Sequence, residues 1–210
     1  MIIKICGIKN KETLVCCEKN KVDFFGMIFY HKSPRNISYE EARMLIDVSR
    51  EFSIKPVGVF VNHDIKELKK IIYSLNLNFI QLHGDEDQLY INELKNEFKL
   101  KIFKKISIKT NQDFKEANKF NNIDYLLFDY KPNSDELPGG NSKSFNWNFL
   151  KEQKIDLPWF VSGGINHENI KKLQNFINPY GIDLSSGVEE QKGIKSINKI
   201  NKFFKIFYDK

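Results

Sequence analysis

The chain has 210 residues, enough for one well-buried core and too few for two ordinary domains, so a single domain over 1–210 is expected. A hydrophobic content of 41% with 18 phenylalanines excludes a disordered chain. The net charge of +6 comes from lysines scattered along helical patterns, such as Lys69, Lys70, Lys171, Lys172, Lys195, Lys199 and Lys202, which read as solvated helix faces rather than a nucleic-acid surface, and with no apolar stretch of membrane-spanning length neither nucleic acid nor membrane is an expected partner.

Apolar runs rich in β-branched and aromatic residues alternate with helical patterns along the chain. The predicted strands are Ile2 to Cys6, Val22 to Phe29, Lys55 to Val61, Phe79 to Leu82, Ile102 to Ile106, Tyr125 to Asp129, Trp159 to Ser162 and Gly181 to Leu184. Between and after them, helices are predicted at Lys11 to Asn20, Tyr39 to Phe52, Asp64 to Leu75, Glu86 to Phe98, Gln112 to Phe120, Asn146 to Lys154, His167 to Ile177 and Ile194 to Phe207. Strict βα alternation implies a parallel sheet, and eight units in so short a chain favour an α/β architecture closed into a (β/α)8 barrel. The long Pro-, Asn-, Ser- and Gly-rich connection from Lys131 to Ser144 follows the sixth strand, where a loop would overhang the barrel mouth as a lid.

Catalytic groups of such barrels sit at the C-terminal ends of strands. In KICG, alternation turns Lys4 and Cys6 to the barrel interior, and an inward lysine is costly unless it serves a charge near the site. Cys6 then reads as a nucleophile, a base or a small core residue, with a nearby ammonium favouring its thiolate. Cys16 and Cys17 fall in a helical pattern as core positions, and three cysteines without a CxxC pair indicate a reducing compartment. With no apolar signal core at the N-terminus, a cytoplasmic protein is expected.

Arg35, in the loop after the second strand, is either solvated or a planar fork for a carboxylate. His83, ending QLHG, fits a site residue and a hydrogen-bonded structural histidine equally. Asp129, closing LLFD, is a loop cap or a general acid. The segments VSGG (Val161 to Gly164) and DLSSGVE (Asp183 to Glu189) are apolar runs ending in small residues, where backbone N–H groups converge on an anion, so a small phosphorylated ligand is expected. No clustered Cys/His spacing implies a metal, and no Walker or GxGxxG loop is present.

Taken together, KICGIKN, FYHKSPRNIS, GVFVN, QLHGDE, LLFDYK, GGNSKSFNW, VSGGI and DLSSGVE resemble the phosphoribosylanthranilate isomerases of tryptophan biosynthesis from one end of the chain to the other. The resemblance implies a (β/α)8 barrel that carries out an Amadori rearrangement of N-(5-phosphoribosyl)anthranilate without metal or organic cofactor. It further implies Cys6 as general base, Asp129 as general acid, Arg35 as the anthranilate carboxylate contact, and His83 and Asp183 as substrate-binding residues. Backbone amides around Gly163, Gly164, Ser185, Ser186 and Gly187 would hold the phosphate. Either a monomer or a homodimer suits a barrel of this size. One departure stands out: the family usually reads GG[ST]GxxF in the sixth loop, and Ser142 occupies the position of the last glycine.

Two other readings compete. A phosphoribosyl isomerase of the histidine pathway uses similar chemistry, but its barrels typically carry aspartate at the first strand end, where this chain has Cys6. A barrel that binds a phosphorylated ligand without turnover would be distinguished by binding without product.

Overall fold

The computed structural model describes residues 1–133, 136, 139–140 and 143–209. Eight parallel strands close into a barrel in sequence order: β1 (Ile2–Cys6), β2 (Phe24–Phe29), β3 (Lys55–Phe60), β4 (Phe79–Leu82), β5 (Lys101–Ile108), β6 (Tyr125–Tyr130), β7 (Trp159–Val161) and β8 (Gly181–Leu184). Closure comes from β1 pairing with β8, which sets Lys4 beside Asp183, while on its other side β1 sets Cys6 beside Gly26. The fold is therefore the (β/α)8 barrel expected from the alternation.

Side-chain alternation divides the core in two. Inward positions form a compact interior around Cys6, Phe24, Val57, Val59, Phe103, Leu127 and Phe160, while outward positions join the much larger layer beneath the helices. The floor of the interior is aromatic: Phe103 lies 5.6 Å from Phe24, 5.2 Å from Phe160 and 4.4 Å from Tyr125, centroid to centroid. Gly181 makes room for this plug, since a Cβ there would stand 2.3 Å from a ring carbon of Phe160. A packed floor leaves ligands only the opposite, C-terminal end.

The helices are α1 (Lys11–Lys19), α2 (Tyr39–Ser49), α3 (Ile65–Leu75), α4 (Gln88–Glu97), α5 (Asn148–Lys151), α6 (Ile170–Phe176) and α7 (Ile197–Tyr208). Local chemistry starts most of them: Asn10, Asp64, Asp87 and Ser196 cap α1, α3, α4 and α7 through their side chains, and Ser38 with Glu41 forms a reciprocal capping box on α2.

Three predicted helices differ. The segment after β5 is a 3₁₀ helix, Asn111–Lys119, because its single buried side chain, Phe114, gives a wider helical turn little to pack on. The helix expected from Asn146 to Lys154 contracts to α5, where the Asn146 carboxamide accepts the Asn148 N–H and forms a local turn in place of a first helical turn. The last helix starts at Ile197, not Ile194, because Ile194–Lys195 (β10) pairs antiparallel with Glu189–Gln191 (β9) in a small hairpin that turns through Gly193 at φ 90°.

The interior plug gives a stability prediction. Phe103→Ala removes a fully buried ring with three aromatic neighbours and should cost about 3–5 kcal/mol in urea unfolding. A loss below about 1 kcal/mol would show that the barrel floor does not depend on this packing.

Candidate active site

The C-terminal mouth holds a cavity of about 830 Å³, its open entrance included. All ten residues singled out from the sequence line it: Cys6 from the end of β1, Arg35 from the following β2 loop, His83 after β4, Asp129 on β6, Gly163 and Gly164 after β7, and Asp183, Ser185, Ser186 and Gly187 at the end of β8. Of the sixth connection, Gly139, Gly140 and Lys143 also line the cavity, while Ser142 lies outside the described residues.

On one wall, the Lys4 ammonium donates to Asp183 at 2.9 Å, and both groups are buried. Burial alone would lower the lysine pKa, yet the Asp183 carboxylate and the Cys6 thiol carry it above its ordinary value. Cys6 lies next to this pair, and Gly26 makes space for it, since a Cβ at Gly26 would stand 2.8 Å from the sulfur. The expectation that Lys4 makes the thiol acidic is only half met. Burial pushes the Cys6 pKa up and outweighs the downward pull of Lys4 and Lys195.

Across the cavity, Asp129 is held from two sides. Its Oδ1 accepts the Tyr130 N–H at 2.8 Å, and its Oδ2 lies 3.6 Å from His83 Nε2. Burial pushes its pKa up to about 6, against opposing contributions from the Ser162 hydroxyl, the Lys105 ammonium and the Tyr130 N–H. The other His83 nitrogen, Nδ1, lies 2.8 Å from the Gln81 side-chain amide. Gly163, at φ 90°, passes close to Asp129, and a Cβ there would stand 2.7 Å from the Lys143 carbonyl oxygen and 3.1 Å from Asp129 Oδ1, so both backbone conformation and space favour glycine.

The glycine- and serine-rich ends of β7 and β8 face each other. A Cβ at Gly187 would stand 1.9 Å from the carbonyl oxygen of Ile165, so the two loops touch backbone to backbone. With Gly164 also at positive φ, this is the geometry in which successive N–H groups can turn toward one anion. Two acceptors in the cavity, Gln81 Oε1 and Asp183 Oδ1, are buried without a hydrogen-bond partner among the described residues. Unsatisfied buried acceptors are costly, and ligand hydroxyls would satisfy them.

Arg35 lies in the dry rim. Its Nε and Nη2 donate to Glu189 at 2.7 and 2.8 Å, and Nη2 reaches the Gly140 carbonyl at 3.4 Å. Gly7 and Gly140, both at positive φ, let it lie flat: a Cβ would stand 2.9 Å from Arg35 Cδ at Gly7 and 2.2 Å from Nη1 at Gly140.

Several site residues were not singled out from the sequence. Lys105 follows the same signal as Lys4, since alternation along β5 turns Phe103, Lys105 and Ser107 inward. Outward from β5, Lys104 is buried too, and donates to Glu86 and the Gly84 carbonyl at 2.9 Å each, which fixes the turn after His83. Lys195, expected on a solvated helix face, is instead buried in β10 and donates to Glu189, the last residue of the DLSSGVE run, because their pairing depends on a hairpin that no pattern announced. Among the described residues no group of three or more His, Cys, Asp or Glu side chains could hold a metal, and no helix is long and apolar enough to cross a membrane.

A buried acid and a buried thiol thus face one cavity at the mouth of a (β/α)8 barrel, beside glycine- and serine-rich loop ends, an arrangement suited to an enzyme that moves protons. The model of the N-(5'-phosphoribosyl)anthranilate (PRA) isomerase family matches residues 3–206. The chain is 39% identical over 203 residues to the N-(5'-phosphoribosyl)anthranilate isomerase of Clostridium acetobutylicum, covering 96% of this chain and 95% of that one. Among solved structures, the phosphoribosyl anthranilate isomerase of Thermotoga maritima superposes with a TM-score of 0.87 at 29% identity, covering 99% and 98% of the two chains. A phosphoribosyl anthranilate isomerase in complex with reduced 1-(o-carboxyphenylamino)-1-deoxyribulose 5-phosphate gives 0.81 at 28% identity, with the same coverage. This chain belongs to the phosphoribosylanthranilate isomerase family.

The raised Asp129 pKa carries a stability consequence. The folded value of about 6 exceeds the ordinary 3.8, so the folded state holds this proton more tightly. Asp129's own contribution to stability is therefore fully present below about pH 4 and is lost as pH rises through about 6. Asp129→Asn should unfold at higher urea than the parent at pH 7, by about 1–3 kcal/mol, with the gap closing near pH 4. Equal midpoints at pH 7 would mean that Lys105 and His83 already offset the burial.

Proposed function

We infer that the chain isomerises N-(5'-phosphoribosyl)anthranilate to 1-(2-carboxyphenylamino)-1-deoxyribulose 5-phosphate, a step of tryptophan biosynthesis. The observation that carries this reading is a buried carboxylate and a buried thiol facing one cavity within a chain of this family, with Asp129 held near pH 6 and Cys6 beside the Lys4 ammonium.

In this reading Asp129 protonates the ring oxygen of the ribose, the C1–O bond breaks, and the anilino nitrogen's lone pair forms a protonated imine at C1. Cys6, as thiolate, then takes the proton from C2, and the electron pair moves through C1 to the imine nitrogen. The resulting enolamine becomes the ketone by proton transfer from the C2 hydroxyl side to C1. C1 is reduced and C2 oxidised within one molecule, so no external electron carrier is required. Asp183, fixed by Lys4, and Gln81 supply acceptors for sugar hydroxyls, and His83 steadies the acid from its open side. The backbone of Gly163, Gly164, Ser185, Ser186 and Gly187 receives the phosphate, and Arg35 receives the aromatic carboxylate. We take the chain as one domain acting in the cytoplasm on a small phosphorylated substrate, as a monomer or homodimer.

The test uses substrate formed in situ from anthranilate and phosphoribosyl pyrophosphate by a transferase, followed by loss of its fluorescence. Wild type should accelerate the decay, and Cys6→Ser and Asp129→Asn should each lower kcat by about 10²- to 10⁴-fold. Near-normal turnover in either variant would remove that residue from its role. Binding of the substrate by wild type without product would instead favour a barrel that only holds its ligand.

A further inference from the structure

Glu189 stands behind Arg35, outside the cavity lining, and takes no part in the chemistry above, yet its carboxylate is densely bonded. Its Oε1 accepts from Arg35 Nε at 2.7 Å and from Lys195 Nζ at 2.5 Å. Its Oε2 accepts from Arg35 Nη2 at 2.8 Å and from the Gly193 N–H at 3.1 Å. The side chains of Arg35, Glu189 and Lys195 are 3, 4 and 2% exposed. The backbone is tied as well: Lys199, on α7, donates to the Glu189 carbonyl at 2.6 Å.

The β9–β10 hairpin is what makes this arrangement. Glu189 opens it, Lys195 closes it, and Gly193 at its tip lies against the loop that carries Arg35, where a Cβ would stand 2.5 Å from the Pro34 carbonyl oxygen. The hairpin thus braces the loop after β2 through backbone contact and charge together. One edge of the guanidinium, Nε with Nη2, is consumed by Glu189 in a two-point fork, Nη2 also reaches the Gly140 carbonyl at 3.4 Å, and Nη1, which lies against Gly140, donates to no described residue. A fork locked on one edge leaves the other with a fixed direction. The triad also carries two buried cations against one carboxylate, which favours a further anion beside it.

We propose that Glu189, held by Lys195 and the β9–β10 hairpin, is a positioning residue that aims the Nη1 end of Arg35 at the substrate's aromatic carboxylate and thereby sets selectivity for a carboxylated arylamine over an uncarboxylated one. The proposal rests on the reading that Arg35 meets that carboxylate. Glu189 acts through Arg35 and touches no reacting atom.

The experiment measures inhibition by reduced 1-(2-carboxyphenylamino)-1-deoxyribulose 5-phosphate and by its phenyl analogue lacking the carboxylate, in wild type, Glu189→Gln, Arg35→Met and the double variant. Wild type should prefer the carboxylated inhibitor by about 100-fold, the scale of one charge-assisted two-point contact. Glu189→Gln should cut that preference to below about tenfold by weakening only the carboxylated inhibitor, with KM raised and kcat within about threefold. On the Arg35→Met background, Glu189→Gln should have no further effect on the preference. Gly193→Ala, which pushes the hairpin off Pro34 and leaves every charge in place, should lose preference in the same direction and serves if Glu189→Gln does not fold. Equal weakening of both inhibitors, additive losses in the double variant, or an unchanged preference would overturn the proposal. A wild type that does not discriminate the two inhibitors would instead refute the assignment of Arg35 itself.

Discussion

The ion pair between Lys4 and Asp183 is the constraint around which this barrel is built. It spans the seam where β1 closes on β8, within one register pair, and it is fully inside the protein. Burying two charges costs more than their attraction returns unless their geometry is good and their remaining valences are met. Here the ammonium has a 2.9 Å partner, but Asp183 Oδ1 is left without one among the described residues. Leu or Phe at both positions would make a cheaper seam. The pair is better understood as part of the cavity than as part of the core, because it supports Cys6 from one side and offers an acceptor to the cavity from the other.

The separation of floor from mouth follows from where charge is permitted. The floor is filled by Phe24, Phe103 and Phe160 edge to face, and it excludes water from beneath the site. Above it, the mouth is lined by Arg35, Lys143, Asp129 and Asp183, with Lys4, Lys105, Lys195 and Glu189 behind them, so cations outnumber carboxylates. Such an excess in a low-dielectric mouth attracts an anionic ligand more strongly than the chain's overall charge could.

Much of this was legible in the sequence because strands with two faces write their orientation into alternate residues. KIC and LLFD announce which side chain ends inside the mouth, and VSGG and DLSSG announce where backbone can approach backbone. Local pattern left Arg35 and His83 between a structural and a site role until the family resemblance assigned them, whereas the strand positions, the strand-end Cys6 and Asp129 and the two glycine- and serine-rich ends could be marked locally as candidates. Glu189, Lys195 and the hairpin between them could not, since the run EEQKGIK has the charge pattern of an exposed turn and only tertiary contact with Pro34 and Arg35 buries it. Lys105 was readable by the argument applied to Lys4, but the doubled lysine at 104 and 105 conceals that one faces Glu86 outside the barrel and the other Asp129 within. The helices after β5 and before β7 failed for a third reason: each buries a single side chain among its own residues, Phe114 and Leu150, and propensity alone does not hold so short a helix.

The two proton-transfer candidates are not poised together, and that has a consequence for order. With Asp129 near 6 and the Cys6 thiol pushed up by burial, the neutral acid and the ionised thiol are favoured at opposite ends of the pH range. If both acted at once, this would tax the rate heavily. If Asp129 acts first, the tax falls away: the acid gives up its proton while the thiol is still neutral, and a protonated imine then stands beside Cys6. A cation formed in this cavity lowers the thiol pKa in the same way as Lys4 does, but closer to the proton being removed. On this argument Lys4 need not ionise the thiol by itself. It has only to bring Cys6 near enough to ionisation for the substrate's own charge to complete the change.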